Sequence, residues 1–129
     1  MERAIITINE SGCVNIPDGN VWMSEIELME LFGVIAPTLR AAIKAIYKCG
    51  TLCSASAQRC DLATPESWAI FYNLEMIIAL AFRLNTCEAS RIRQKVLEGL
   101  TQRKKERFNF FFALKSARND NYYHIERNN

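Results

Sequence analysis

The chain has 129 residues, of which half are apolar and 23% are charged, and its net charge is +2. This length suits one domain with a modest core, and the composition is that of a globular protein rather than a disordered or fibrous one. The longest apolar run, Met76 to Phe82, is too short to cross a bilayer. Since no secretory leader opens the sequence, we predict a cytoplasmic protein with no membrane partner.

Five cysteines occur in the chain, and no two of them form a C-x-x-C pair. An odd number of cysteines without a leader indicates reduced thiols. The spacing of Cys49, Cys53 and Cys60 matches no common zinc-ligand pattern, so we expect these three cysteines to be small buried apolar residues rather than a zinc site. The sequence predicts no metal and no other cofactor.

The N-terminal residues predict a small β-hairpin. Residues Arg3 to Ile8 are rich in β-branched side chains and predict a strand. A turn cluster from Asn9 to Gly12 follows, and Cys13 to Ile16 can return as the second strand.

A pair of helices follows the hairpin. Ser24 and Glu27 form a capping-box pattern at the start of the first helix, and Gly33 suits its left-handed end. Pro37 suits the first turn of a second helix, which ends at Gly50. A short helix, a glycine turn and a second helix form a helix-turn-helix, the motif that presents its second helix to the DNA major groove.

The outward face of the second helix carries candidate DNA-binding residues. Arg40 can bind guanine or phosphate, whereas Lys44 and Lys48 can neutralise phosphate. Thr38 is the other residue on this face that can form a hydrogen bond to a base edge.

Other residues of the helix pair favour a protein-interaction or packing unit instead. Ile35 and Ala36 offer no hydrogen bonds to a base, and Glu25, Glu27 and Glu30 of the first helix would repel phosphate. Helix hairpins also occur as plain packing units. The helix pair alone leaves both alternatives open.

The segment after Gly50 predicts a wing. Thr51 to Thr64 is polar and has no helical period, whereas Trp68 to Tyr72 alternates like a strand. A strand pair directly after a helix-turn-helix occupies the position of a wing, which we predict between Cys53 and Tyr72.

Two further helices are predicted. Asn73 can cap an apolar helix from Leu74 to Leu84, and a long helix begins near Glu88 and continues at least to Gln102. In the long helix we expect an apolar stripe of Ile92, Val96, Leu97 and Leu100, with Arg91, Arg93, Lys95 and Glu98 facing outward.

The C-terminal part of the chain is basic and then aromatic. Residues 1–90 carry six Lys and Arg against ten Asp and Glu, a net charge of −4, whereas residues 91–129 carry ten against four, a net charge of +6. Phe108 to Leu114 contains five large apolar side chains, which we expect to pack on the core or in a homodimer. The predicted phosphate contacts of the tail are Arg103, Lys104, Lys105 and Arg107.

These patterns together predict an α+β, mostly helical protein. It would have a winged helix-turn-helix-like domain at residues 1–102, with a small N-terminal β-hairpin and a long C-terminal helix. Residues 103–129 would form a basic and aromatic extension that packs on the core or on a dimer partner. The predicted core is Leu28, Phe32, Val34, Leu39, Ile43, Trp68, Met76, Ile77 and Leu80.

One motif of the sequence is Phe71-Tyr72-Asn73-Leu74-Glu75-Met76-Ile77-Ile78-Ala79. It resembles the most recognisable motif of the RhuM-like family of bacterial proteins. The similarity continues through Phe82-Arg83-Leu84-Asn85 and Arg91-Ile92-Arg93, and Met23 to Leu52 is similar to the N-terminal part of the family. In all, it covers roughly residues 20–100.

The resemblance implies a DNA-binding-like N-terminal module for which no catalytic activity is established. Proteins of the family are often carried on mobile or horizontally acquired elements, and the family is associated with virulence loci. The family's second helix usually begins with polar or basic residues, where Ile35, Ala36 and Pro37 stand here. Gln94 and Lys95 replace an aromatic residue that the family has after the position of Arg93.

The function we predict is DNA binding by a regulator or accessory protein of a mobile element. It would bind duplex DNA as a homodimer, through the helix-turn-helix and a basic C-terminal helix. The sequence has no nucleophile motif and no phosphate-binding glycine loop, so we expect neither enzymatic activity nor a small-molecule substrate. The alternative is a protein–protein interaction or dimerisation module that keeps the fold without sequence-specific DNA binding.

Overall fold

The structure, a computed structural model, describes residues 2–102. The predictions made for residues 103–129 lie outside this range. The described part is α+β, with five helices and two small antiparallel sheets. One compact unit ends at Lys95 and a second begins at Val96, so this boundary falls inside the last helix.

The predicted N-terminal hairpin is present, but its strands are short. Strand β1 (Thr7–Ile8) pairs antiparallel with β2 (Val14–Asn15). Gly12 closes the turn with a φ of +88°, in the left-handed region that favours glycine. A side chain at this position would also overlap the guanidinium of Arg91, which donates to the Gly12 carbonyl at 3.4 Å.

The next strand, β3 (Trp22–Ser24), was not predicted and leads directly into helix α1 (Glu25–Phe32). The predicted capping box is confirmed: the Glu27 N–H donates to Ser24 Oγ at 3.4 Å, and the Ser24 N–H donates to Glu27 Oε1 at 2.9 Å. Gly33 ends the helix with a φ of +66°, as predicted.

Helix α2 (Ala36–Lys48) completes the predicted helix pair. Ile35 precedes it without a side-chain cap, and Pro37 lies in its first turn. Helices α1 and α2 pack against each other. Each helix therefore has one apolar face turned inward; the buried residues are Leu28, Leu31 and Phe32 in α1 and Leu39, Ala42, Ile43 and Ile46 in α2.

A short helix and a β-hairpin follow. Helix α3 (Ser54–Ala57) was not predicted, because four small residues show no apolar period. Strands β4 (Gln58–Thr64) and β5 (Ser67–Asn73) form the predicted strand pair. Strand β5 lies in the middle of a three-stranded sheet of order β3-β5-β4.

Two helices end the described part. Helix α4 (Leu74–Ala81) is capped by Asn73, whose Oδ1 accepts from the Met76 N–H at 3.1 Å. It ends three residues before the predicted Leu84. Helix α5 (Cys87–Gln102) begins where Thr86 Oγ1 accepts from the Ala89 N–H at 3.1 Å. No helix in residues 2–102 is both long and apolar enough to cross a membrane.

The prediction that Arg93 faces outward is wrong. Its side chain is half-buried, and Nη1 donates to the carbonyl oxygens of Ala81 at 2.6 Å and Leu84 at 3.0 Å. These carbonyls lie at the C-terminal end of α4, where backbone acceptors lack partners within the helix. Arg93 therefore joins α5 to the end of α4.

Seven of the nine predicted core residues are buried. Val34 is only half-buried, and Trp68 is 66% exposed. Trp68 lies towards the turn of the β4–β5 hairpin, beyond the part of β5 that the helices cover, where Phe71 and Tyr72 are buried instead. Leu97 and Leu100 of the predicted stripe in α5 are exposed as well.

The cysteines also differ from the prediction. All five are free thiols, but all five are exposed rather than buried. They lie in turns, at helix ends and on the outer strand, so their small size did not bring them into the core. The buried small residues of the described part are alanines, among them Ala42, Ala57, Ala81 and Ala89.

Candidate nucleic-acid interface

The outer face of α2 aligns three of the four predicted residues of this helix. Arg40, Lys44 and Lys48 recur every four residues, which aligns them along one side of the helix. All three are exposed, and Thr38 is exposed near the same end as Arg40. The resulting surface is a line of cations opposite the buried face of α2.

Arg40 is paired with an acidic side chain of α1. Its Nε and Nη2 atoms donate to the Glu25 carboxylate at 2.7 Å and 2.8 Å. The hydrogen bond from Arg40 lowers the pKa of the Glu25 carboxyl group, and the same bond raises the pKa of Arg40. This planar bidentate pair occupies the donors that would otherwise read a guanine.

A second arginine binds another acidic side chain of α1. Arg3 donates to Glu27 Oε1 at 2.7 Å and to Oε2 at 2.9 Å. Burial raises the pKa of Glu27, but the hydrogen bonds from Arg3 and Ser24 outweigh that effect and leave the pKa lowered. Two of the three glutamates that we expected to repel phosphate are therefore paired with arginines, whereas Glu30 is exposed.

Arg83 adds a cation that sequence reasoning did not include in the site. It is exposed just after α4, and its positive charge acts on the Cys49 thiol at the end of α2. The thiol pKa is lowered, chiefly by a hydrogen bond with Thr51 at 3.2 Å and in part by Arg83. Arg83 thus lies near the same helix end as Lys48.

The β4–β5 hairpin is joined to α2 at its base. The Tyr47 hydroxyl donates to Gln58 Oε1 at 2.6 Å. Burial raises the pKa of Tyr47 to about 12. The hydroxyl therefore stays protonated at neutral pH and keeps this bond between the helix and the first residue of β4.

The outer part of the hairpin is apolar rather than basic. Leu62, Trp68 and Ile70 are 43%, 66% and 42% exposed. Thr64 to Ser67, at the turn, includes Glu66 but no lysine or arginine. The Arg59 guanidinium lies 5.0 Å from the centre of the Trp22 ring, towards the base of the hairpin. The turn itself therefore offers no cation to a phosphate.

A cleft of about 530 Å³ lies between the N-terminal hairpin, α1 and the start of α5. Its walls combine apolar side chains with several carboxylates and one arginine. Because the carboxylates would repel a polyanion, this cleft does not suit nucleic acid. The apolar lining residues include Ile6, Met23 and Leu31. The carboxylates belong to Glu10, Glu27, Glu30 and Glu88, and the arginine is Arg91.

The remaining predicted contacts, Arg103, Lys104, Lys105 and Arg107, lie outside the described residues. Within residues 2–102 no group of three His, Cys, Asp or Glu side chains is arranged to hold a metal ion. No protein-family model, curated protein or solved structure matches this chain.

Proposed function

We propose that this protein binds duplex DNA through α2, as a RhuM-like regulator or accessory protein of a mobile element. The observation that carries the proposal is the exposed line of Arg40, Lys44 and Lys48 on the second helix of a helix-turn-helix. The pairing of Glu27 with Arg3 supports it, because the arginine neutralises one of the α1 carboxylates that would otherwise repel phosphate.

We further propose that the fold is a winged helix-turn-helix. The strand order β3-β5-β4 and the hairpin directly after α2 support this interpretation. The bond between Tyr47 and Gln58 supports a hairpin held in fixed relation to α2. Since the turn of the hairpin carries Glu66, we assign the phosphate contacts to α2 and Arg83 rather than to the wing.

Binding in this proposal is electrostatic before it is specific. Lys44, Lys48 and Arg83 address phosphates and carry no sequence information. Arg40 and Thr38 are the residues equipped to reach base edges, and Arg40 must first leave Glu25. In the tail, Arg103, Lys104, Lys105 and Arg107 would add phosphate contacts, and a homodimer would present two α2 helices to the duplex.

Replacing Lys44 and Lys48 together with alanine tests the role of α2. We expect the slope of log affinity against log salt to fall by about two units, and all sequences to be weakened alike, because each lysine releases roughly one counterion. Fluorescence anisotropy on a labelled mixed-sequence duplex at several salt concentrations measures this slope.

The matched control is Lys95→Ala, which removes an exposed lysine from α5. We expect its affinity and salt slope to stay close to those of the unchanged protein. Equal effects of the α2 double variant and the α5 variant would contradict a DNA contact made by α2.

Replacing Glu25 with glutamine tests whether the acidic partner restrains Arg40. The change removes the carboxylate charge and leaves the guanidinium free to bind phosphate. We expect tighter binding to all duplexes and a salt slope that is steeper by about one unit. An unchanged or weaker affinity, measured in the same anisotropy assay, would mean that Arg40 stays off the DNA.

The alternative function is a protein-interaction module. The exposed apolar end of the hairpin and the pairing of Arg40 with Glu25 favour it. This alternative predicts that the dissociation constant for any duplex at low salt is no lower than about 100 μM, the weak limit of ordinary non-specific binding.

A further inference from the structure

The outer strand of the three-stranded sheet has an open edge. Within the described residues β4 pairs with β5 on one side and with no strand on the other. The Leu62 N–H donates to its neighbour Asp61 at 2.8 Å, which indicates that it points away from β5. Because backbone groups alternate in direction along an antiparallel strand, those of Gln58 and Cys60 point to the same open side. Such an edge is a template for another strand.

The open strand is complementary in charge to itself. Arg59 and Asp61 lie on one face of β4, with Nη2 and Oδ2 3.4 Å apart, and Cys60 lies between them in the chain. If a second copy of β4 pairs antiparallel about a two-fold axis at Cys60, Arg59 of each copy lies opposite Asp61 of the other. Opposite charges directly across two strands are favourable.

The same register satisfies the backbone groups of the open edge. Cys60 pairs with Cys60 of the second copy, and Gln58 pairs with Leu62. These three residues are the ones whose backbone groups point to the open side, so each pair can exchange two hydrogen bonds. The Leu62 N–H then exchanges the Asp61 carboxylate for a carbonyl of the second copy.

The other face of the hairpin contributes apolar surface. Cys60 lies opposite Ile70 and Leu62 lies opposite Trp68 within one chain, and all four are exposed. When two copies pair at Cys60, the Ile70 and Cys60 side chains of one copy lie in line with Cys60 and Ile70 of the other. The four side chains then form one continuous apolar row across the joined sheets. The surface that no other strand covers within residues 2–102 therefore meets the same surface of its copy, as a two-fold interface requires.

We propose that β4 is a homodimer interface, in which two copies pair their β4 strands antiparallel about Cys60 and join their three-stranded sheets. The occupant of the edge is a second copy of this chain, held by backbone hydrogen bonds and by two reciprocal Arg59–Asp61 ion pairs. This interface is distinct from residues 108–114, and it does not depend on DNA binding.

Charge reversal in the full chain tests this pairing. Arg59→Asp alone and Asp61→Arg alone each replace both ion pairs with like-charge contacts, so we expect each to weaken the dimer by about tenfold or more. An equimolar mixture of the two variants should restore dimerisation, because every reversed site then faces an opposite charge. Sedimentation equilibrium without DNA, in the presence of a thiol reductant, measures the dissociation constants of the unchanged protein, of each variant and of the mixture.

The matched control is Glu66→Arg, which reverses a charge on the same hairpin outside the paired register and should leave the dimer unchanged. As a second readout, a chain that keeps only Cys60 should crosslink as a dimer with a short bifunctional thiol reagent, since the paired Cα atoms lie about 5.5 Å apart. A chain that keeps only Cys87 should not. A monomeric protein, a dimer unaffected by either reversal, or a mixture no tighter than its components would each overturn the proposal.

Discussion

Replacing Phe32 with alanine is expected to lower the free energy of unfolding by about 3–5 kcal/mol, the usual cost of emptying a buried aromatic site. Phe32 is fully buried in the last turn of α1, next to the glycine that ends the helix. The loss combines the transfer free energy of the ring with the cavity that it leaves, because the packed faces of α1 and α2 relax only in part. Urea unfolding followed by circular dichroism measures it.

The control for this prediction lies on the same helix. Ile26 is 69% exposed, so Ile26→Ala should change the free energy of unfolding by less than about 0.5 kcal/mol. If Phe32→Ala costs under about 1 kcal/mol, well below the range for a buried aromatic residue, the packing described for the helix pair is incorrect.

Replacing Arg93 with methionine is expected to cost about 2–4 kcal/mol, because hydrogen bonds from a charged donor are worth about 1.5–3 kcal/mol each. Methionine keeps much of the length and apolar contact of the side chain but cannot donate to Ala81 or Leu84. Two carbonyls at the C-terminal end of α4 then lose their shared partner. Thermal and urea unfolding of the full chain measure the change.

Two further variants separate this role from a general loss of positive charge. Lys95→Met removes an exposed cation two residues along the same helix and should be nearly neutral. Arg93→Lys keeps the charge but not the planar guanidinium, so we expect an intermediate loss. Equal stability of the Arg93→Met and Lys95→Met variants would show that the carbonyl contacts contribute little.

The local signals at the helix ends were predicted correctly from sequence. The capping box of Ser24 and Glu27, the left-handed Gly33 and the N-cap Asn73 each depend on residues no more than a few positions apart. The apolar period of α1 and α2 correctly predicted which faces of the two helices are buried. Such features follow from the chain's own spacing and need no knowledge of distant neighbours.

The candidate site was predicted only in part. The side of α2 that carries Lys44 and Lys48 follows from the helical period, and both are exposed as expected. Sequence spacing could not reveal that Glu25 binds Arg40, because fifteen residues and a turn separate them. Arg83 was absent from the predicted site, since no pattern in sequence relates it to Cys49.

The sequence by itself determined where most of the helices begin and end, which faces of the helix pair are apolar, and that a strand pair follows α2. The tertiary structure alone decided that β3 exists, that Arg93 points inward and that Trp68 lies in solvent. The physical reason is the same in each case. A three-residue strand forms because β5, nearly fifty residues later, supplies its hydrogen bonds, and Arg93 turns inward because α4 ends beside it. Trp68 is exposed because its hairpin extends beyond the part that the helices cover. Burial and long-range pairing depend on which surfaces meet, and the spacing of residues along one segment does not contain that information.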